Sequence, residues 1–138
     1  EYIRRNADTV MIDDYAHHPE ELRALISSAK ELYPGRKCTV IFQPHLFSRT
    51  QDHADGFAEV LSMADECWLL PIYPAREKPM PGVNSGMIAE RMKGIPVKMI
   101  SMDQVVSACA EHKPELLITA GAGDIDTKVQ PIRTALSK

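Results

Sequence analysis

Cysteine is scarce in this 138-residue sequence, and Cys38, Cys67 and Cys109 are an odd number with no Cys-x-x-Cys spacing. A disulfide framework and a thiolate metal site are therefore not expected. Buried free thiols in a reducing compartment are the reading. No apolar run approaches the ~20 residues that cross a bilayer, and no stretch reads as a signal peptide, so a cytoplasmic protein without a membrane partner is expected. Basic blocks are missing too. The 16 Lys and Arg are interspersed with 19 Asp and Glu for a net charge of -3, which argues against a nucleic-acid surface. Repeats and low-complexity segments are absent. What remains is one globular domain, residues 1–138, long enough for a real core. The chain opens without an initiator methionine, directly on strand-like Glu1–Arg5, so a piece of something longer is expected.

Against that background one stretch stands out, Val10-Met11-Ile12-Asp13-Asp14-Tyr15-Ala16-His17-His18-Pro19-Glu20. A short apolar run reads as a buried strand, and Pro19 can open a helix. Between them lie carboxylates, an aromatic ring and two imidazoles, where open α/β sheets bind ligands. The plainer alternative is that Asp14 caps the following helix and the rest is ordinary loop.

Taken in order, Tyr2–Arg5, a turn at Asn6–Asp8 and Thr9–Asp13 predict a hairpin whose first strand is an antiparallel edge. Leu22, Leu25, Ile26 and Ala29 share one face of a helix from Pro19 to Leu32, stopped by Pro34-Gly35. Cys38–Phe42 and Cys67–Leu70 read as internal strands, with a loop at Gln43–Thr50 and a helix burying Phe57, Val60, Leu61 and Ala64 between them. Prolines 71, 74, 79 and 81 make Pro71–Gly82 a surface loop carrying Arg76, Glu77 and Lys78. Asn84 or Ser85 is expected to cap a helix containing Ile88 and Met92, and Asp103 a helix through Ala110. Val97–Ile100 and Leu116–Thr119 complete the strands, and Val129, Ile132 and Leu136 face inward from a terminal helix. Alternating strands and helices predict an α/β fold: a mainly parallel sheet with helices on both faces.

Parallel topology brings three loops to one edge: Asp13–His18, Gln43–Thr50 and Ala120–Asp124. Gly121 and Gly123 admit either a tight turn into a helix or close approach of a ligand to the backbone. The segment is too short and too late in the chain for a dinucleotide fingerprint, and no Gly-Lys-Ser/Thr phosphate loop occurs. Arg49 can grip a carboxylate or phosphate, or simply be solvated. His45 can donate to an anion or cap its loop, whereas His53 and His112 read as surface residues on helices.

Two other chemistries fit poorly. A receiver domain needs a phosphoacceptor aspartate after its third strand, where Trp68-Leu69-Leu70-Pro71 stands. Asp13, Asp14, His17 and His18 suit Zn or Mn, but adjacent residues rarely aim at one ion and no second cluster completes a shell. No metal site is expected.

Asp13-Asp14-Tyr15-Ala16-His17-His18-Pro19, Phe42-Gln43-Pro44-His45 with Ser48-Arg49-Thr50, and Gly121-Ala122-Gly123-Asp124-Ile125 together resemble the C-terminal domain of bacterial Mur ligases. The resemblance covers essentially the whole chain, with Ile72–Glu77 and Pro81–Ser85 adding to it. The Phe-Gln-Pro-His stretch is more particular to the branch that adds L-alanine; a paralogue that attaches a preformed tripeptide shares the first loop and differs at the second. The resemblance implies a Rossmann-like three-layer domain of about six strands, closing over a UDP-sugar domain and a central domain that carries most of the contacts to ATP and Mg2+. It further implies that ATP phosphorylates UDP-N-acetylmuramate and that the amine of L-alanine attacks the acyl phosphate. Asp14 and Tyr15 would then meet the nucleotide, His17, His18 and Arg49 would serve catalysis, and His45, Arg49, Gly121 and Gly123 would contact substrate. Alone, the domain would not catalyse. Leu46 and Phe47 depart from the family, which often has arginine or a similar polar residue and tyrosine there. A nucleotide- or amino-acid-binding module is the alternative outside enzymology.

Overall fold

Five strands run parallel and a sixth runs antiparallel at one edge in the computed structural model, which describes residues 2–5 and 9–137. In chain order they are β1 (Tyr2–Arg5), β2 (Val10–Asp14), β3 (Cys38–Phe42), β4 (Glu66–Leu69), β5 (Val97–Met99) and β6 (Leu116–Ala120). Across the sheet the order is β1-β2-β6-β3-β4-β5. The hairpin expected at the start therefore forms, although its turn at Asn6–Asp8 lies outside the described residues.

Helices α1 (Pro19–Leu32), α2 (Phe47–Leu61), α3 (Gly86–Ala89), α4 (Val105–His112) and α5 (Val129–Leu136) divide between the two faces. Handedness explains the division. The crossovers β2-α1-β3, β3-α2-β4 and β4-α3-β5 all step the same way along the sheet, so right-handed connections put their helices on one face. The crossover β5-α4-β6 steps back and must use the other face. Two cores result: Val10, Leu22, Ile26, Val40, Phe42, Phe57, Leu61, Leu69 and Ile118 in one, Met11, Ile41, Trp68, Val105, Leu117 and Ile132 in the other. Neighbouring residues of one strand alternate between them, as a strand buried on both faces requires. Truncating Leu22 or Ile26 to alanine would cost about 2–5 kcal/mol.

Several local expectations are corrected. α2 begins at Phe47, so Ser48, Arg49 and Thr50 belong to its first turn rather than to a loop. α3 is a single short turn that stops before Met92, and Ser85 leaves it uncapped by donating its hydroxyl to the Leu70 carbonyl. α4 starts after Gln104, not Asp103, and the Gln104 side chain accepts from the Ser101 amide at 3.1 Å. Asp14 does not cap α1: its Oδ1 accepts from the Ala16 amide at 2.9 Å, and His18 is the cap. Cys38, Cys67 and Cys109 are buried and free, as expected. Among the described residues no helix is long and apolar enough to cross a membrane.

Candidate functional site

Asp14, Ala120, Phe42 and Leu69 stand abreast, each the last residue of its strand and each paired to the next across the sheet. Met99, the last residue of β5, pairs with Leu69 in the same row, so register delivers five connections to one edge, of which four build the loop cluster. Three are those expected from the sequence. The fourth is Pro71–Gly82, which follows β4 and was read from the sequence as a surface loop sharing in the family resemblance, without a place at the site.

That fourth loop docks against the second. Tyr73 donates its amide to the Pro44 carbonyl and accepts from the Leu46 amide, each at 2.8 Å, in a short parallel bridge. The His45 and Tyr73 rings stack 5.7 Å apart. Leu46 sits at φ 72°, a conformation costly for a branched side chain. Its carbonyl accepts from the Thr50 amide at 3.1 Å and the Thr50 hydroxyl at 2.8 Å, so the backbone is held on both sides. Leu46 thus stands at the strained entry to α2. One turn on, Arg49 Nη1 lies 3.3 Å from His45 Nδ1. His45 stands just ahead of α2 and Arg49 lies in its first turn, so the turn at Leu46 brings the two side chains together.

In the first loop each imidazole is already oriented. His17 Nδ1 lies 2.9 Å from the Tyr15 carbonyl, which requires the proton on Nδ1 and leaves Nε2 as the acceptor nitrogen of a neutral ring. Its ring centre is 6.1 Å from that of His45. His18 Nδ1 accepts from the Glu20 amide at 3.3 Å, capping α1 ahead of Pro19. Its ring meets His53 edge-on at 4.8 Å. His53, expected on the surface, is half-buried at a break in α2 where φ is -120°. Tyr15 projects into solvent at 64% exposure, against the tendency of large rings to be covered. Asp14 beside it is also exposed.

The third loop is built around Gln43. This buried side chain donates to Asp124 Oδ1 and accepts from the Ile125 amide at 2.8 Å, tying the end of β3 to the turn after β6. Gly121, at φ +140°, passes so near that a Cβ would lie 2.7 Å from the Gln43 carbonyl oxygen. A Cβ on Gly123 would likewise meet the Tyr73 side chain, so both glycines are required by the chain's own packing.

Charge follows this geometry. Burial, then the Arg49 guanidinium and His17, push the His45 imidazole below its usual range, with Glu77 partly opposing. Hydrogen bonds from the Ser48 hydroxyl and amide hold the Glu77 carboxyl below its usual range. The cluster therefore sets a permanent cation, Arg49, beside an imidazole that stays neutral near pH 7, which suits a bound carboxylate next to a group that exchanges protons.

His112 is not a free surface residue either: it contacts Glu66 Oε1 and meets Trp68 edge-on at 5.3 Å. The groove there, about 600 Å³ between β4, β5 and α4, shares no residue with those four loops. Among the described residues no three His, Cys, Asp or Glu side chains converge to hold a metal ion.

A family model described as the glutamate ligase domain of Mur ligases matches residues 1–123. The chain is 52% identical to a UDP-N-acetylmuramate–L-alanine ligase of Parabacteroides distasonis over 130 residues, covering 94% of this chain and 28% of that protein. It superposes on a UDP-N-acetylmuramate–alanine ligase from Thermotoga maritima with TM-score 0.70 at 27% identity, covering 99% of this chain and 30% of that one. A murein peptide ligase from Psychrobacter arcticus gives TM-score 0.78 at 21% identity, covering all of this chain and 29% of that one, a likeness of fold alone. The chain spans less than a third of the length of these relatives. With the three loop motifs in place and the family model matching from the first strand into the third loop, the chain belongs to the Mur ligases, as their glutamate ligase domain.

Proposed function

We propose that this chain is the C-terminal, amino-acid-side closing domain of a UDP-N-acetylmuramate–L-alanine ligase, an ATP-dependent enzyme of peptidoglycan precursor synthesis. The observation that carries this reading is the pairing of Arg49 with His45, 3.3 Å apart, with His17 facing them across the loop edge. A small amino acid needs its carboxylate gripped and its ammonium group deprotonated, and this set supplies both. Relatives bearing that enzyme's name, at 44% and 52% identity, support the choice of L-alanine.

In the reaction, the lactyl carboxylate oxygen of UDP-N-acetylmuramate takes the γ-phosphoryl group of ATP, and ADP leaves. The amine of L-alanine then adds to the acyl carbon, and the C–O bond to phosphate breaks as the amide forms. Arg49 holds the alanine carboxylate by a charge-assisted fork. Free Nε2 of His17 takes the amine proton. His18, whose Nδ1 is committed to capping, keeps Nε2 for a phosphate oxygen. Asp14 accepts from ribose hydroxyls and Tyr15 lays its exposed ring on the base or the sugar. The backbone at Gly121 and Gly123 borders the same crevice. Magnesium, when bound, would offset phosphate charge, and in this reading it and most contacts to ATP belong to the central domain. Together with the UDP-sugar domain, that domain is this one's partner, and closure of this domain assembles the site. A cytoplasmic enzyme is the setting that fits these substrates.

The test is ATP-dependent phosphate release by the full-length protein with UDP-N-acetylmuramate and either L-alanine or L-alanyl-γ-D-glutamyl-diaminopimelate. Release with L-alanine alone is expected. Release with the tripeptide alone would move the chain to the paralogous ligase, and release with neither would leave a binding module.

A further inference from the structure

α2 lacks a cap of its own. Its N-cap residue is Leu46, which has no polar side chain, and no acidic residue occupies the first turn. The exposed amides of such a helix end need an acceptor. Here the acceptor comes from far along the chain: Glu77 Oε1 takes a hydrogen bond from the Ser48 amide at 3.1 Å, Glu77 Oε2 takes one from the Ser48 hydroxyl, and the Phe47 amide adds a further contact. A carboxylate at a helix N-terminus also meets the positive end of the helix dipole.

Glu77 lies in the same loop as Tyr73, which pairs with Pro44 and Leu46 through its backbone and stacks on His45 through its ring. The loop therefore grips the His45–Arg49 segment at two points, one before the strained Leu46 and one after it. We infer that Glu77 is a positioning residue for the amino-acid end of the site: by capping α2 from the Pro71–Gly82 loop, it fixes where Arg49 and His45 stand relative to one another. This deepens the ligase reading and rests on it. Glu77 touches no reacting atom in this scheme; it acts through Ser48 and the helix end.

Two consequences separate positioning from plain stabilisation. A misplaced Arg49 weakens the grip on the amino-acid carboxylate while leaving the nucleotide and UDP-sugar contacts alone. Loss of the Glu77 charge also removes the one attraction that keeps the His45 proton affinity from falling further, against Arg49 and His17. Tyr73 is the other titratable side chain packed on His45.

The experiment uses the full-length ligase with Glu77→Gln, Glu77→Asp and Glu77→Ala, measuring phosphate release against each substrate and the melting temperature of each variant. Glu77→Gln is expected to raise KM for L-alanine about tenfold, with KM for ATP and for UDP-N-acetylmuramate unchanged. Because Arg49 can donate to His45 Nδ1 only while that ring is neutral, the rise in KM for alanine as pH falls should begin at a lower pH in Glu77→Gln than in the wild type. Glu77→Ala should cost about a hundredfold, with Glu77→Asp recovering part of it. If the folded Gln variant keeps the wild-type KM for alanine and the wild-type pH profile, the positioning role is wrong. If all three KM values rise with a falling melting temperature, Glu77 is a general structural cap and the inference is equally overturned. A wild-type enzyme that releases no phosphate with L-alanine refutes the ligase reading itself, a result distinct from either.

Discussion

Gly123 stands against the ring of Tyr73: a Cβ on it would lie 2.6 Å from Tyr73 Cβ and Cγ, and 2.7 Å from Gln43 Oε1. The third loop and the fourth are thus fitted to each other, with Gln43 between them. Gly123→Ala must displace either Tyr73 or the Gln43 amide, and should destabilise the chain by about 1–3 kcal/mol. Gly121→Ala should cost at least as much, since its clash is with the rigid Gln43 carbonyl and its φ of +140° disfavours any side chain. Urea unfolding of both variants checks this, and two wild-type midpoints would refute it.

Gln43 itself carries three bonds from a buried amide, to Asp124, to the Ile125 amide and, at 4.0 Å, to Met102 Sδ. Gln43→Leu keeps the bulk and strands the Ile125 amide, a loss of about 1–3 kcal/mol. Gln43→Glu should be worse, because it sets a second carboxylate against Asp124. A Glu variant as stable as the Leu variant would contradict that ordering.

Arg49→Lys keeps a positive charge but not the planar fork. In the full-length enzyme, KM for L-alanine should rise about tenfold or more in Arg49→Lys and further in Arg49→Ala, with KM for ATP little changed. Saturation curves for the two substrates make the comparison. An Arg49→Ala enzyme with wild-type alanine kinetics would remove Arg49 from the site.

Stability should depend on pH in two separate windows. The folded chain holds the His45 imidazole below its ordinary 6.5, so near that pH the unfolded chain binds more protons. The contribution is complete above about pH 6.5 and is lost as pH falls through the folded value. Glu77, held below its ordinary 4.5, adds a second loss as the pH falls below that value. Denaturant midpoints between pH 8 and pH 4 should therefore fall less steeply near pH 6 in His45→Gln and less steeply below pH 5 in Glu77→Gln. A His45→Gln curve parallel to the wild type throughout would contradict the first assignment.

Burial pushes the thiols of Cys38 and Cys109 up to about 12 and that of Cys67 higher still. At pH 8 the folded chain should resist a thiol reagent at all three positions, and denaturant should release all three. Rapid labelling of the native chain would mean that one of these sites opens readily.

The parallel sheet, the α1 helix and the converging loops were legible because each rests on local period or on chain alternation. Leu22, Ile26 and Ala29 are buried on one face of a helix whose bounds, Pro19 and Leu32, matched the pattern. The start of α2 was not legible, and the reason is physical: its cap is Glu77, 29 positions beyond Ser48, so no residue near Phe47 announces a helix. The ends of α3 and α4 were missed likewise, since Ser85 and Asp103 looked like caps while Ser85 binds the Leu70 carbonyl and α4 begins after Gln104. In the candidate site, His17, His45 and Arg49 were visible as residue types on one edge. Tyr73 and Glu77 were visible only within the Ile72–Glu77 stretch that adds to the family resemblance and were given no role, because a proline-rich loop shows no periodicity that would say what it packs against.

The position of β6 sets the order in which this domain can be made. The strand in the middle of the sheet is the last one translated, and it joins β2 to β3, with Thr119 bonding to Asp13 across 106 positions. Until Leu116–Ala120 emerges, the nascent chain consists of two half-sheets, β1-β2 and β3-β4-β5, each with a bare inner edge. Such edges invite pairing with other chains. The ribosome thus delivers the keystone after the arch, and the interval between them is when this domain most needs protection from its neighbours.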